Sequence, residues 1–278
     1  MGVCKALVLG GGGARGALQV GAVRALFEAG YRPDLLVGAS IGAINATGLA
    51  LWGTDLNGAA ALEQAYQEVA DANFMEPRLS RLTLRALSGR PNRRATERVA
   101  EYMITKGITP DLCFKQISHV RLGLVGTNLE SGEPVIYGLD PEQKVLEGLL
   151  SSMALPPWFA PVEASGHFIL DGGIVSNLPI EPALQFGATE IIALDLDDPS
   201  PLSEKDPMIR QVIFKLIAAV SQRYVHLETA LAEARGVPVR RIVLRSTPPV
   251  PIWDFRSYPS LIQSGYDLTI QALADEHE

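Results

Sequence analysis

The sequence predicts an α/β fold of three layers, α/β/α, with helices on both faces of a mainly parallel central sheet. Short apolar runs of strand length alternate with segments of helical period, the order a doubly covered parallel sheet requires. Glycines cluster at 10–13 and 16, at Gly38 and Gly42, and at Gly172 and Gly173, each directly after an apolar run, where α/β proteins place their sites. The chain carries 26 glycines in 278 residues, against about 19 at ~7% usage. Hydrophobic residues at 47% and charged residues at 20% are ordinary globular composition and exclude disorder or a fibrous repeat.

The elements follow in order. Residues 5–10 (KALVLG) read as a buried strand, then a glycine loop, then a helix through Leu18, Ala22, Leu26 and Ala29 ending at Gly30. Residues 34–39 (DLLVGA) form a second strand, and Ile41–Trp52 a helix rich in small residues. From 35 to 54 no residue is charged, close to a bilayer span in length. Gly38, Ser40, Gly42, Asn45, Thr47, Gly48 and Gly53 interrupt that stretch, and a strand-to-helix turn accounts for it better. Residues 120–128 and Pro134–Tyr137 flank ESGE as a hairpin. Residues 168–170 and 190–196 are further strands, with a helix over 179–187 between them. Ile209, Ile213, Leu216, Val220, Tyr224, Leu227 and Leu231 recur at intervals of three and four and mark one long amphipathic helix. Residues 241–244 are a last strand and 259–274 a closing helix. With no internal repeat and no linker, one domain over 1–278 is expected.

The formal net charge of −7 argues against a surface wholly devoted to nucleic acid. Residues 78–98 run the other way, with seven arginines against one glutamate, a local +6 that leaves −13 for the rest of the chain. Leu79, Leu82, Leu84 and Leu87 are interleaved there. The segment reads either as a solvated helix face and loop or as a lid or docking surface for anionic lipid head groups. It lacks the aromatic residues that stack on bases, so nucleic acid is not expected as a partner. Cys4 and Cys113 lie far apart without a CxxC, which suits a reducing compartment and offers neither a disulfide framework nor a zinc knuckle. The first residues show no basic region followed by a long apolar run, and Ala6 stands where a myristoylation signal wants Ser or Thr. A cytoplasmic protein with at most peripheral membrane contact is expected, without metal or cofactor.

The chemistry centres on Gly38-Ala39-Ser40-Ile41-Gly42, a serine between a strand and a helix with glycines two positions to either side. This is the nucleophile-elbow pattern: the turn is so sharp that flanking side chains would clash, and the serine takes strained dihedrals at the positive end of the next helix. Gly11-Gly12-Gly13-Ala14-Arg15-Gly16 also satisfies GxGxxG, so a non-catalytic dinucleotide site is a rival. That fingerprint wants an acidic residue ending the second strand, where this chain has Ala39-Ser40. The same amides can instead form an oxyanion hole for a tetrahedral acyl intermediate, with Arg15 adding positive charge, and that reading is preferred.

A histidine-dependent esterase is the second rival, and it needs a histidine near Ser40. The histidines are His119, His167, His226 and His277, none a convincing triad member: His226 lies off the apolar stripe of its helix and His277 sits at the terminus. His167 shares a strand face with Asp171 at a distance of ~13 Å, too far to pair. Asp171-Gly172-Gly173 offers another base: Asp171 ends an apolar strand and enters a glycine turn, so two parallel strands can present Ser40 and Asp171 at one sheet edge.

The combination resembles the patatin-like phospholipase family. The matching residues are Gly11 to Gly16, then Gly38-Ala39-Ser40-Ile41-Gly42-Ala43-Ile44-Asn45-Ala46, Ser151-Ser152-Met153-Ala154-Leu155-Pro156, and Asp171-Gly172-Gly173 with Asn177 and Pro179 after. Order and spacing look like the compact bacterial members, over roughly residues 5–50 and 120–198. The resemblance implies a patatin-like fold and a Ser–Asp dyad without histidine. Ser40 would attack a carboxylic ester of a (lyso)phospholipid or related lipid, with Asp171 as base and an acyl-enzyme between. The loop Gly11, Gly12, Gly13, Ala14 and Arg15 would hold the oxyanion. An Asp near pKa 3.9 is a weak base at pH 7, so burial is expected to raise it.

Overall fold

The computed structural model describes residues 2–72, 93–156, 158–196 and 208–275, without the side chains of residues 209–211, 213, 214 and 217. Residues 78–92 of the arginine-rich segment, and His277, lie outside the described residues.

Eight strands form one sheet. Five are parallel, in the order β3 (Arg121–Asn128), β2 (Leu35–Ala39), β1 (Lys5–Leu9), β7 (Glu190–Asp195) and β8 (Val239–Val243). Strands β4 (Pro134–Tyr137), β5 (Val162–Ala164) and β6 (His167–Asp171) join antiparallel. The sheet is thus mixed and mainly parallel, and β3–β4 is the expected hairpin.

Alternation along β1 sorts the core into two layers. Leu7 and Leu9 point to one face, Ala6 and Val8 to the other, as period-two geometry demands. Leu7 and Leu9 belong to the core cluster on the face shared by α1 (Gly16–Glu28), α2 (Ile41–Trp52), α3 (Leu56–Ala72), α4 (Arg93–Thr105), α5 (Val145–Ser152) and α8 (Tyr258–Ala274). The opposite face is covered by α6 (Ile180–Gln185) and the last turns of α7 (Met208–Ala234), through Ile180, Ala183, Leu184, Val225 and Ala232. The uncharged stretch 35–54 resolves into β2 and α2, and among the described residues no helix is long and apolar enough to cross a membrane.

The edge that carries Ser40 and Asp171 is built differently from the one the sequence predicts. Ser40 and Asp171 do not stand on parallel strands. Strand β4 pairs Leu124 and Val125, which also pair β2, and Gly126 and Thr127, which also pair β6. One residue cannot bond two strands along one edge, so β4 takes one edge of β3 while β2 and β6 share the other, end to end. Strand β2 runs with β3 and β6 against it. Their carboxyl ends therefore meet, Ala39 opposite Val125 and Asp171 opposite the next residue, Gly126.

Candidate active site

The turn out of β2 has the geometry the glycine spacing requires. Ser40 holds φ 56° and ψ −126°, a region that non-glycine residues enter at ~1–3 kcal/mol when the surroundings enforce it. A Cβ on Gly38 would overlap the Gly42 carbonyl, and one on Gly42 would overlap the Leu9 carbonyl of the neighbouring strand. No larger residue fits either place. The Ser40 hydroxyl thus stands at the first turn of α2, half-buried, where the helix dipole favours negative charge. The Ser40 N–H donates to Ser152 Oγ at 3.0 Å.

Asp171 arrives from the opposite direction and meets the serine directly. The Ser40 hydroxyl donates to Asp171 Oδ2 at 2.6 Å, and the Gly173 N–H donates to Oδ1 at 2.7 Å. The Asp171 backbone is pinned on both sides: its N–H donates to the Ala154 carbonyl at 3.0 Å, and its carbonyl accepts from the Thr127 hydroxyl at 2.8 Å. The motif 151–156 therefore straps both residues, Ser152 taking the serine amide and Ala154 the aspartate amide. Asp171 is 3% exposed, and burial lifts its carboxyl from 3.8 to about 6 against the opposing pull of the Ser40 and Gly173 hydrogen bonds.

The glycine loop crosses in front of the serine, since a Cβ on Gly11 would lie 3.0 Å from Ser40 Cβ. Gly10 and Gly11 donate their amides to the carbonyls of Leu194 and Asn177, and Ala14 donates to Ile252. Those bonds commit Gly11 and Ala14 within the protein. Among the described residues nothing accepts from the Gly12 or Gly13 N–H, which narrows the expected donors to these two. Gly13 has φ +59° and packs against the Ile252 carbonyl, so a side chain is excluded on both counts. Arg15 donates from Nε to the Gly12 carbonyl at 3.2 Å and so braces the loop.

Beneath the loop lies a buried polar chain that the sequence reading left without a role. Tyr66 donates its hydroxyl to Asn45 Oδ1 at 3.2 Å. Asn45 donates to Gln19 Oε1 at 2.9 Å and to the Gly16 carbonyl at 3.1 Å, and Gln19 donates to the Gly10 carbonyl at 2.8 Å. Three helices thereby fix the two ends of the glycine loop. The available signal was a Gln within the apolar run 17–23 and an Asn within the uncharged helix α2.

Among the described residues the rival constellations are not assembled. His167 stands at the far end of β6, exposed, with Nδ1 2.7 Å from Glu130 Oε2. His119 precedes β3 at the opposite end of the parallel strands, and His226 is exposed on α7. The second strand leads into the elbow itself rather than to a ribose-binding carboxylate. Among the described residues no group of three or more His, Cys, Asp or Glu side chains is gathered as a metal site.

A family model described as Patatin-like phospholipase matches residues 7–184. The chain is 30% identical over 192 residues to Neuropathy target esterase sws of Drosophila melanogaster, covering 68% of this chain and 13% of that protein. It is 32% identical over 200 residues to human Patatin-like phospholipase domain-containing protein 6, covering 69% and 13%, and 30% identical over 207 residues to Lysophospholipase nte1 of Aspergillus terreus, covering 73% and 13%. The chain thus corresponds to a small part of each of these relatives. Among solved structures, VipD from Legionella pneumophila superposes with a TM-score of 0.51 over 99% of this chain and 67% of that one, at 17% identity, a likeness of fold alone.

Proposed function

Because the chain belongs to the patatin-like phospholipase family, we propose that it is a serine acyl hydrolase of lipid esters, working through Ser40 and Asp171. The observation that carries the reading is the direct 2.6 Å bond from a strained elbow serine to a buried carboxylate, with no residue between them. The relatives named lysophospholipase and esterase favour a (lyso)phospholipid as the substrate class. Strands β7 and β8, beyond the family match, extend the same sheet, so the reading takes the chain as one catalytic domain.

In this mechanism the ester carbonyl carbon approaches Ser40 Oγ, and Asp171 Oδ2 takes the hydroxyl proton as the new C–O bond forms. Charge that gathers on the carbonyl oxygen meets the Gly12 and Gly13 amides and the amino end of α2. Collapse expels the alcohol portion of the lipid, which leaves with the proton held by Asp171, and the acyl group stays on Ser40. Water then gives a proton to Asp171 while attacking the acyl carbon. The carboxylic acid departs, and the proton returns to Ser40. A carboxyl raised to about 6 suits this shuttle, being ionised at neutral pH yet basic enough to accept a proton.

The test is release of fatty acid from lysophosphatidylcholine by the purified chain and by Ser40→Ala. The reading expects turnover by the first and none above background by the second, at equal Tm. Turnover that survives in Ser40→Ala would refute it.

A further inference from the structure

Helix α7 is built of two unlike parts. Its last turns are anchored: Val225, Glu228 and Ala232 are buried, and Glu228 accepts from the Ser176 hydroxyl at 2.7 Å and from the Glu181 N–H at 2.8 Å. Ahead of them, Met208, Val212, Leu216 and Val220 recur every fourth residue and are 80%, 53%, 61% and 43% exposed. Tyr224 and Leu227 continue the stripe and are also exposed.

Topology says where that stripe lies. Helix α7 joins the carboxyl end of β7 to the amino end of the parallel strand β8, so it runs against both. Its 27 residues span about 40 Å, whereas the six residues of β7 span about 20 Å. The surplus is not at the β8 end, because the packed residues are the last ones. It also begins early: Glu228 already meets the first turn of α6, a helix that starts from the same sheet edge as Ser40. The amino-terminal part of α7 therefore projects past the edge that carries the Ser40–Asp171 pair.

Its charge is as one-sided as its apolarity. Residues 208–227 include Arg210, Lys215 and Arg223 and no Asp or Glu, in a chain whose net charge is −7. Lys215 and Arg223 are exposed beside the stripe. A second copy of the same helix would bring like charges together, while an anionic lipid surface complements both the cations and the apolar side chains. We propose that the projecting part of α7 is a docking helix for anionic membrane surfaces, set on the edge from which Ser40 is reached. The link to substrate delivery rests on the lipid-hydrolase reading; the docking itself does not.

The experiment separates the two. The 278-residue chain carrying Ser40→Ala is floated with vesicles of phosphatidylcholine alone or mixed with phosphatidylglycerol, at low and high salt. The same is done with Val212→Asp/Leu216→Asp added, and with Arg78, Arg81, Arg85 and Arg90 changed to Ser instead. Docking through α7 expects salt-sensitive binding that needs phosphatidylglycerol and falls at least ~10-fold in the Asp pair. It also expects an unchanged Tm, and, in the Ser40 background, unchanged cleavage of a soluble short-chain ester. Equal binding by the Asp pair, or binding lost only with the arginines of 78–98, would overturn it. So would a fall in Tm, meaning that another part of the chain covers the stripe, or a dimer that the Asp pair disperses. If the lipid-hydrolase reading fails, the soluble ester is not cleaved, whatever the vesicles show.

Discussion

Helices α2 and α7 both follow the carboxyl end of a parallel strand, β2 and β7, and both carry many apolar residues, yet they reach opposite surroundings. No residue of α2 is exposed, and Gly42, Ala43, Ala46 and Gly48 let its backbone lie against neighbouring chain. Helix α7 carries large aliphatic residues at a regular interval of four and shows several of them to water. The difference lies in what each pattern reports. Small residues in an apolar helix mark close approach to the same chain, because a missing side chain is useful only where something fills its place. Large residues at helical spacing mark a face that wants a partner, without saying that the partner lies in the chain.

The contrast can be broken most forcefully at the elbow. Gly42→Val drives a side chain into the Leu9 carbonyl and is expected to cost more than ~4 kcal/mol, leaving little folded protein in an expression and melting assay. A soluble, active Gly42→Val would show that the close approach is dispensable. Asp171→Asn comes next and should lower kcat/KM by ~10³-fold, about 4 kcal/mol of barrier. The same change should raise stability at alkaline pH. The folded carboxyl sits at about 6 against 3.8, so its neutral form is favoured by the fold, and that support is lost as pH rises through about 6. Removing the ionised group should therefore raise Tm by several degrees at pH 8 and by little at pH 4, as calorimetry would read. Tyr66→Phe deletes the outer donor of the buried chain to Asn45 and should cost ~1–2 kcal/mol, visible in denaturant titration. Leu216→Asp on the projecting part of α7 should cost under ~0.5 kcal/mol, since its side chain already faces water. A loss as large as a core substitution there would erase the distinction between the two helices.

These two regions also divide what was legible in the sequence. The elbow, the glycine loop and the Asp171 turn are local: glycines at set distances from one serine or aspartate report steric demands that a few neighbouring residues impose. The direction of β6 is not local. Ser40 and Asp171 were expected on parallel strands, and the antiparallel meeting depends on β4 and β6 pairing opposite edges of β3. Helix α3 went unread although Ala59, Leu62, Tyr66 and Ala70 keep helical spacing, because its small residues blur the apolar face. The Gln19–Asn45–Tyr66 chain joins three helices and has no short-range signature beyond polar residues in apolar runs. For α7 the period identified the helix correctly and was silent on which way its stripe faces.

The central claim is that Ser40 is a nucleophile whose proton passes straight to a buried Asp171. Fluorophosphonate labelling followed by peptide mass spectrometry, over a pH series between about 4 and 8, tests it most directly. The expected adduct is on Ser40, absent in Ser40→Ala and slowed in Asp171→Asn. Its rate should rise about tenfold per pH unit below about 6 and level off above, as the carboxylate becomes available. Labelling that persists in Ser40→Ala, or a rate unchanged across the series, would contradict it.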